Sequence, residues 1–207
     1  MTASKAAPER SLILASASPR RNDLLAEAGY VFEVAPADVD ESLPGGMPPE
    51  DAAVEVARRK ALAVAAAGSV VLAADTIVVT PSGEIVGKPV DAADARRMLR
   101  RLSGTTHVVV TGILVTDAQT GAALSRAVAT RVFFARMTDA EIDAYVESGE
   151  ALGKAGAYAI QETGDRFVTR IEGSYTNVVG LPMEAVRETL AELGVRPAVK
   201  QGAAEGG

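Results

Sequence analysis

The chain has 207 residues, of which 48% are hydrophobic and 4% aromatic, enough for one domain with an aliphatic core. It contains no cysteine and one histidine, which excludes disulfides, thiolate chemistry and zinc sites built on cysteine or several histidines. A metal would therefore need oxygen ligands, which Mg²⁺ and Mn²⁺ prefer. A net charge of −6 without a basic tract argues against duplex nucleic acid as the main partner, but not against a small phosphorylated ligand.

The two ends of the chain carry few large apolar residues. We predict a disordered leader at residues 1–10, a single domain at 11–195 and a disordered tail at 196–207. No secretory signal is visible, and the long apolar stretch at 61–79 is broken by Gly68 and carries Asp75. We therefore expect a cytoplasmic protein without a membrane span.

Residues 11–21, SLILASASPRR, combine a short apolar strand, a turn of small residues and the start of a helix ending at Gly29. Pro19 suits the first helical turn, and Ser18 is placed to be the N-cap. The N–H groups of such a helix end, with two adjacent arginines, form an anion site. The alternative is a capped surface helix with two solvated arginines. The residues predicted to bind phosphate are Ser16, Ser18, Arg20 and Arg21.

The next segment is predicted to contain a strand at 30–35, an acidic loop and a helix at about 50–67. The loop, with Glu41 among its three carboxylates, is either solvated or sends one carboxylate to a metal. Lys60 sits beside the apolar face of the helix, so its ammonium could reach over an edge.

The apolar run VVLAADTIVV at 70–79 is typical of a central strand buried on both faces. Asp75 interrupts it, and Thr76 follows. A buried carboxylate is costly unless it is paired or bound to metal, so we favour a catalytic or metal-binding role for Asp75. The alternative is a carboxylate satisfied by backbone N–H groups at the end of the strand.

The rest of the chain predicts alternating strands and helices, with an antiparallel hairpin at 107–116 and 124–135. His107 is interpreted as a packed structural residue, and Thr138 and Glu141 as a capping box. The other predicted elements are a return strand after Gly83, helices at 92–102, 138–148 and 182–193, a strand at 167–171 and a polar turn at 173–177.

Phosphate-loop, dinucleotide, metalloprotease and serine-hydrolase motifs are absent. Six other stretches occur in a familiar order: SASPRR, AADTIVV, GKP, LSGTTH, GKAGAYAIQ and GSYTNVVGLP. With these motifs the chain resembles the Maf family of nucleoside triphosphate pyrophosphatases over about residues 12–193.

The resemblance implies an α/β fold of the Maf/ITPase type, with a twisted mixed β-sheet, flanking helices and two lobes around a deep cleft. It implies hydrolysis of a nucleoside triphosphate to the monophosphate and pyrophosphate, by metal-dependent attack of water at the α-phosphate. The divalent metal would be Mg²⁺ or Mn²⁺. It also implies a cytoplasmic homodimer whose partner is the nucleotide, not nucleic acid or a membrane.

The resemblance also assigns roles to residues. The proton acceptor falls on Asp75, and an acidic residue near the metal falls on Glu41; both are predicted metal ligands. Positions tied to substrate choice fall on Arg20, Thr76 and Gln161, and basic residues along the phosphate path fall on Arg21, Lys60 and Lys88.

Gln161 separates two branches of the family, because the branch acting on 7-methyl-GTP has an acidic residue there. Its amide offers one donor and one acceptor, which suits the edge of uracil or thymine. The sequence therefore predicts dTTP and UTP, and possible modified pyrimidine nucleotides, as substrates. The alternatives are a nucleotide-binding regulator of cell division with little turnover, or a hydrolase of the 7-methyl-GTP or purine type. Asp75 favours an enzyme, because a carboxylate beside a polyphosphate would repel it without a metal.

Overall fold

The computed structural model describes residues 11–43, 45–66, 68–161 and 163–198. Over these residues the chain forms one mixed sheet of seven strands with helices on both faces. The strands are β1 (Ser11–Leu14), β2 (Glu33–Val34), β3 (Ser69–Val79), β4 (Ile85–Val86), β5 (Thr106–Asp117), β6 (Ala123–Phe134) and β7 (Val168–Glu172). The helices are α1 (Pro19–Glu27), α2 (Pro49–Val64), α3 (Ala92–Leu102), α4 (Asp139–Glu147), α5 (Tyr175–Val179) and α6 (Met183–Glu192), with short 3-10 turns at Ala155–Ala157 and Thr163–Phe167.

Strand β3 is the centre of the sheet. On one side it pairs antiparallel with β5 over residues 70–79. On the other side β1 pairs parallel with residues 69–72, and β4 pairs antiparallel with residues 78–79. The strand order is β2-β1-β3-β5-β6-β7, with β4 beside β3. The predicted α/β fold with a twisted mixed sheet, its buried central strand and its antiparallel hairpin are confirmed.

The two strands on the β1 side of β3 do not meet. Among the strands described, residues 73–77 of β3 have no partner on this side, because β1 ends opposite Leu72 and β4 begins opposite Val78. A break of this kind opens a crevice beyond the carboxyl end of β1, where open α/β sheets bind their ligands.

Alternation along β3 decides which way the side chains in this gap point. Val71 and Ala73 pack with α2, whereas Leu72 packs with α1 and α6 on the opposite face. Asp75 therefore lies on the α2 face, and Thr76 lies on the face of α1. One strand thus delivers two adjacent polar side chains to two different layers of the molecule.

Helix α2 lies very close to the sheet beside this gap. Gly112 of β5 is the register partner of Asp75, and a Cβ on Gly112 would lie 2.3 Å from the amide nitrogen of Val54. The glycine therefore permits an approach that any side chain would block. This contact holds α2, which carries Lys60, against the strand that carries Asp75.

The core separates into groups at the two ends of the long strands. One group includes Leu14, Leu72 and Leu190 and joins β1, α1 and α6 to the first half of β3. Another includes Leu99 and Tyr145 and joins α3 and α4 to the far ends of β3, β5 and β6. These two lobes lie on either side of the break in the sheet, as predicted.

Several local predictions differ from the structure. The strand expected at 30–35 is reduced to β2, because Tyr30 packs in the core and its N–H closes the end of α1 on Leu25. Helix α2 ends at Val64 instead of 67, since Ala65 is extended and the Ser69 hydroxyl bonds to Ala66. The expected polar turn at 173–177 contains most of α5, capped by Ser174.

The chain ends remain mostly untested. The predicted leader at 1–10 and residues 199–207 of the predicted tail lie outside the described residues. Just before them, the N–H of Ala198 donates to the carbonyl of Gly29. No helix in the described ranges is long and apolar enough to cross a membrane.

Candidate active site

The break in the sheet opens into a cleft of about 510 Å³. Its walls are the turn after β1, the start of α1, the middle of β3 and residues 153–161, which we call the cleft loop. The ten residues that the sequence predicted for the site all line this cleft: Ser16, Ser18, Arg20, Arg21, Glu41, Lys60, Asp75, Thr76, Lys88 and Gln161.

The cleft is positive although the whole chain has a net charge of −6. Five cationic and two carboxylate side chains contribute to its described lining. A concave surface with an excess of cations concentrates anionic ligands. The cationic side chains are Arg20, Arg21, Lys60, Lys88 and Lys154.

A chain of ion pairs crosses the floor of the cleft. The Lys60 ammonium lies 2.8 Å from Oδ1 of Asp75 and 2.9 Å from Oε1 of Glu41. The other Glu41 oxygen, Oε2, lies 2.7 Å from the Lys88 ammonium. Two carboxylates and two ammonium groups from four parts of the chain are thereby brought together.

Burial differs along this chain of charges. Asp75 and Lys60 are 7% and 6% exposed, whereas the Glu41 and Lys88 side chains are 40% and 53% exposed. Burial raises the pKa of Glu41, but the hydrogen bonds from Lys88 and Lys60 outweigh it and lower the pKa to about 2. Glu41 is therefore ionised at neutral pH. Asp75 lies in mid-strand rather than at a strand end, and its described ion-pair partner is the side chain of Lys60.

Lys60 differs from its predicted position. It lies on the buried face of α2, not beside it, together with Val56, Ala57 and Ala61. A buried ammonium requires compensation, and Asp75 and Glu41 supply it. The helical pattern could not show this, because both carboxylates are distant in sequence.

The start of α1 faces the cleft. Ser18 occupies the N-cap position, but its side chain makes no capping hydrogen bond. Instead its N–H donates to Oγ of Ser16 at 3.2 Å. Arg20 is half-buried and lines the cleft. The predicted helix start and the N-cap position of Ser18 are confirmed, without a capping hydrogen bond from its side chain.

Arg21 mainly joins elements of the protein. Its Nε donates to the carbonyl of Gly180 at 2.8 Å, Nη1 to the carbonyl of Ala74 at 2.8 Å, and Nη2 to Oγ1 of Thr76 at 3.0 Å. Burial lowers the pKa of Arg21, while Asp75 and Glu41 oppose that shift. The guanidinium fills the gap at the edge of β3 and ties α1 to the residue after α5. Sequence could not reveal this clamp, because two of these three acceptors are backbone carbonyls and all three are distant in sequence.

Thr76 is similarly engaged. Its hydroxyl lies 2.9 Å from the Thr111 hydroxyl, besides receiving the Arg21 hydrogen bond. Thr76 therefore forms part of the wall behind Arg21, on the opposite face of β3 from Asp75.

The cleft loop ends at Gln161, whose exposed side chain lines the cleft. The same loop brings Lys154 and Tyr158 to the wall, and sequence reasoning had assigned neither to the site. The available signal was the tight run GKAGAYAI, whose small residues allow close packing. His107 is buried, with Nε2 2.8 Å from the Tyr158 hydroxyl, so its interpretation as a packed structural residue is confirmed.

The predicted metal ligands can be tested for fit. No group of three or more acidic or histidine side chains that could hold a metal occurs in the described part of the chain. Mg²⁺ is commonly held by one or two carboxylates together with substrate phosphates and water. Asp75 and Glu41, paired with the same ammonium, match such a donor set.

The comparisons with known proteins decide the family. The family model described as "Maf-like protein" matches residues 11–193. The chain belongs to the Maf family.

Several curated relatives with the name dTTP/UTP pyrophosphatase are similar to this chain. One from Anaeromyxobacter dehalogenans is 55% identical over 185 residues, covering 88% of this chain and 94% of its own. One from Geotalea uraniireducens is 52% identical, covering 89% and 95%, and one from Pelotomaculum thermopropionicum is 45% identical, covering 89% and 97%. Each is named dTTP/UTP pyrophosphatase.

Among solved structures, a HAM1 protein from Coxiella burnetii matches 62% of this chain and 74% of its own. The TM-score is 0.41 and the identity 16%.

Proposed function

We propose that this Maf protein hydrolyses dTTP and UTP to the monophosphate and pyrophosphate. The observation that carries the proposal is the buried Asp75 carboxylate facing a cleft with an excess of cationic side chains. The names of relatives that are 45–55% identical over most of the chain support the same activity and the same two substrates.

Binding of the triphosphate needs neutralisation of its negative charge. Lys60 and Lys88 on the floor and Arg20 at the start of α1 are the groups that we assign to the phosphates. Ser16 and Ser18, with the N–H groups of the turn, add hydrogen-bond donors there. Arg21 has three of its contacts within the protein, so we assign it to shaping the phosphate path more than to direct phosphate contact.

Cleavage then requires a water molecule aligned with the α-phosphorus. In our proposal Asp75 accepts a proton from this water as its oxygen bonds to the α-phosphorus, and the bond from that phosphorus to the bridging oxygen of the β-phosphate breaks. Pyrophosphate leaves with the bridging oxygen, and its charge is stabilised by the surrounding cations. Lys60 holds the Asp75 carboxylate in a fixed orientation through their 2.8 Å contact.

A divalent cation, Mg²⁺ or Mn²⁺, would be held by Asp75 and Glu41. When bound, it supplies further charge neutralisation at the phosphates. Its ligands would also include substrate phosphate oxygens, since two carboxylates do not fill a coordination sphere.

We assign recognition of the base to Gln161 in the cleft loop, and we assign Thr76 to holding Arg21 in position. A primary amide can donate to the carbonyl oxygen and accept from the ring N–H of uracil or thymine.

The experiment is a panel of nucleoside triphosphates incubated with the protein and Mg²⁺ or Mn²⁺, with the products identified. We expect monophosphate and pyrophosphate from dTTP and UTP. Asp75→Asn should lower kcat by about 10²- to 10⁴-fold, the contribution of a general base. Release of orthophosphate, or absence of turnover throughout the panel, would contradict the proposal.

We further propose that the protein is cytoplasmic and forms a homodimer, as the resemblance implies. Sedimentation at micromolar concentration tests the second point, and a monomeric mass would contradict it.

A further inference from the structure

The cleft loop is held in a conformation that its own sequence does not favour. Ala157 has a φ of 60°. Among the described residues it is the only one other than glycine with a positive φ. L-residues rarely adopt this left-handed conformation, so the surrounding structure must enforce it. The next residue is Tyr158, and Gln161 lies three positions further on.

Tyr158 anchors the loop to the sheet. Its ring is 6% exposed and lies edge-on to Phe134 and His107, with centroid distances of 4.7 Å and 5.5 Å. Its hydroxyl lies 2.8 Å from Nε2 of His107, which is fully buried on β5. This contact joins the loop directly to the central sheet.

This contact with Tyr158 is the described hydrogen bond of the His107 side chain, whose ring also lies edge-on to Phe134 at 4.8 Å between centroids. Its Nδ1 is buried without a hydrogen-bond partner in the described structure. A neutral imidazole carries one N–H, and the Tyr158 hydroxyl can donate or accept, so either group can be the donor of this hydrogen bond.

Two described backbone N–H groups also hold the loop to other elements. The N–H of Gly156 donates to the carbonyl of Gly87, the residue before Lys88, at 3.0 Å. The N–H of Ala159 donates to the Tyr145 hydroxyl at 3.2 Å. Tyr158 lies between these two attachment points, so its contact with His107 braces the segment that leads to Gln161.

We propose that His107 and Tyr158 are positioning residues for base recognition: their hydrogen bond fixes the cleft loop so that Gln161 meets the pyrimidine. This inference rests on the proposed function, because it assumes that Gln161 contacts the base. Tyr158 belongs to the wall of the cleft and His107 lies behind it, and neither takes part in the proton transfer assigned to Asp75.

Steady-state kinetics with dTTP and UTP provide the first test. Tyr158→Phe keeps the ring and removes the hydroxyl, and His107→Leu removes the imidazole partner. Each should raise KM about five- to tenfold, as expected for loss of one hydrogen bond, with kcat changed less than about twofold. The reason is that a base contact is equal in the ground state and the transition state. His107→Gln, which retains a hydrogen-bonding group near Nε2, should stay within about twofold of the wild-type KM.

The control is Tyr30→Phe, another buried tyrosine that lies in the core beside α6 and does not line the cleft. It should leave both constants unchanged. An unchanged KM in Tyr158→Phe would overturn the proposal. So would an equal rise in the His107→Gln and His107→Leu variants, because the lost hydrogen bond would then not be the cause.

A second test asks whether the pair acts through Gln161. In a Gln161→Ala background, Tyr158→Phe should raise KM by less than about twofold, since coupled residues are not additive. The full five- to tenfold effect in that background would contradict a path through Gln161.

Hydrogen exchange separates this inference from the proposed function. Without nucleotide, the amides of Gly156 and Ala159 should exchange about five- to tenfold faster in Tyr158→Phe than in wild type or Tyr30→Phe, because a local hydrogen bond has been lost. Failure of the wild type to cleave dTTP would contradict the proposed function. Unchanged exchange in Tyr158→Phe would show separately that the pair does not hold the loop.

Discussion

Asp75 and Lys60 show how single residues were placed by two independent periodicities. Alternation along β3 puts Asp75 on the face that packs against α2, and the helical repeat puts Lys60 on the buried face of α2. Their charged groups lie 2.8 Å apart because the apolar residues of β3 and α2 pack these two faces against each other. Sequence indicated that Asp75 needed compensation, but it could not identify Lys60 as the partner.

Gln161→Glu tests base recognition at a single residue. A carboxylate accepts hydrogen bonds but does not donate, so the carbonyl oxygen of the pyrimidine would face a negative charge. We expect kcat/KM for dTTP and UTP to fall about 10- to 100-fold, corresponding to one unpaired polar group. Gln119→Glu, in the exposed turn between β5 and β6, is the matched control. Unchanged turnover of both nucleotides by Gln161→Glu would remove the assignment.

His107 predicts a pH dependence of stability. Burial lowers the pKa of His107 to about 4, compared with about 6.5 in the unfolded chain. Between pH 4 and pH 6.5 the unfolded chain binds more protons than the folded protein at this histidine, so the free energy of unfolding rises with pH. The stabilisation is lost as the pH falls through the same window. The loss is about 2–3 kcal/mol between pH 7 and pH 4.5.

His107→Gln removes this ionisable group. The remaining titratable groups contribute equally to the pH dependence of both proteins. Urea unfolding at pH 7 and pH 4.5 should therefore show a steeper loss in wild type than in His107→Gln. Equal losses would mean that the buried histidine does not resist protonation.

Among the elements, the break between β1 and β4 is the feature that makes the cleft. Sequence predicted the long strand β3, because its apolar run is nearly continuous, and it predicted a return strand after Gly83. It did not predict that both neighbours would share one edge of β3, because pairing partners are long-range. The shortness of β2 and the presence of α5 were also missed, since capping contacts and tertiary packing outweigh local propensity in such short segments.

Arg21→Lys tests the clamp that joins α1, β3 and the end of α5. A lysine ammonium cannot reproduce the forked donors that reach Gly180, Ala74 and Thr76. We expect a loss of about 1–3 kcal/mol in the free energy of unfolding, measured by urea denaturation. Arg97→Lys, whose exposed side chain pairs with Asp94 one helical turn away, should lose less than about 0.5 kcal/mol. Equal effects of the two changes would show that Arg21 is not structural.

At the scale of the whole molecule, the long strands place two lobes on either side of one cleft, and the polar side chains collect between them. The α/β fold was implied by the resemblance to the Maf family, and the alternating strand and helix patterns agreed with it. The ten predicted site residues meet in the cleft because the turn after β1, the start of α1, the middle of β3, helix α2 and several loops border the break. Sequence did not show the separate roles of these residues. Arg21 and Thr76 form part of the wall of the cleft, while Lys60 pairs with two carboxylates.

The central claim is that water attacks the α-phosphate in this cleft. Hydrolysis of dTTP in ¹⁸O-labelled water, with both products analysed by mass spectrometry, tests it most directly. We predict one ¹⁸O atom in the monophosphate and none in the pyrophosphate. Label in the pyrophosphate, or in released orthophosphate, would contradict the account.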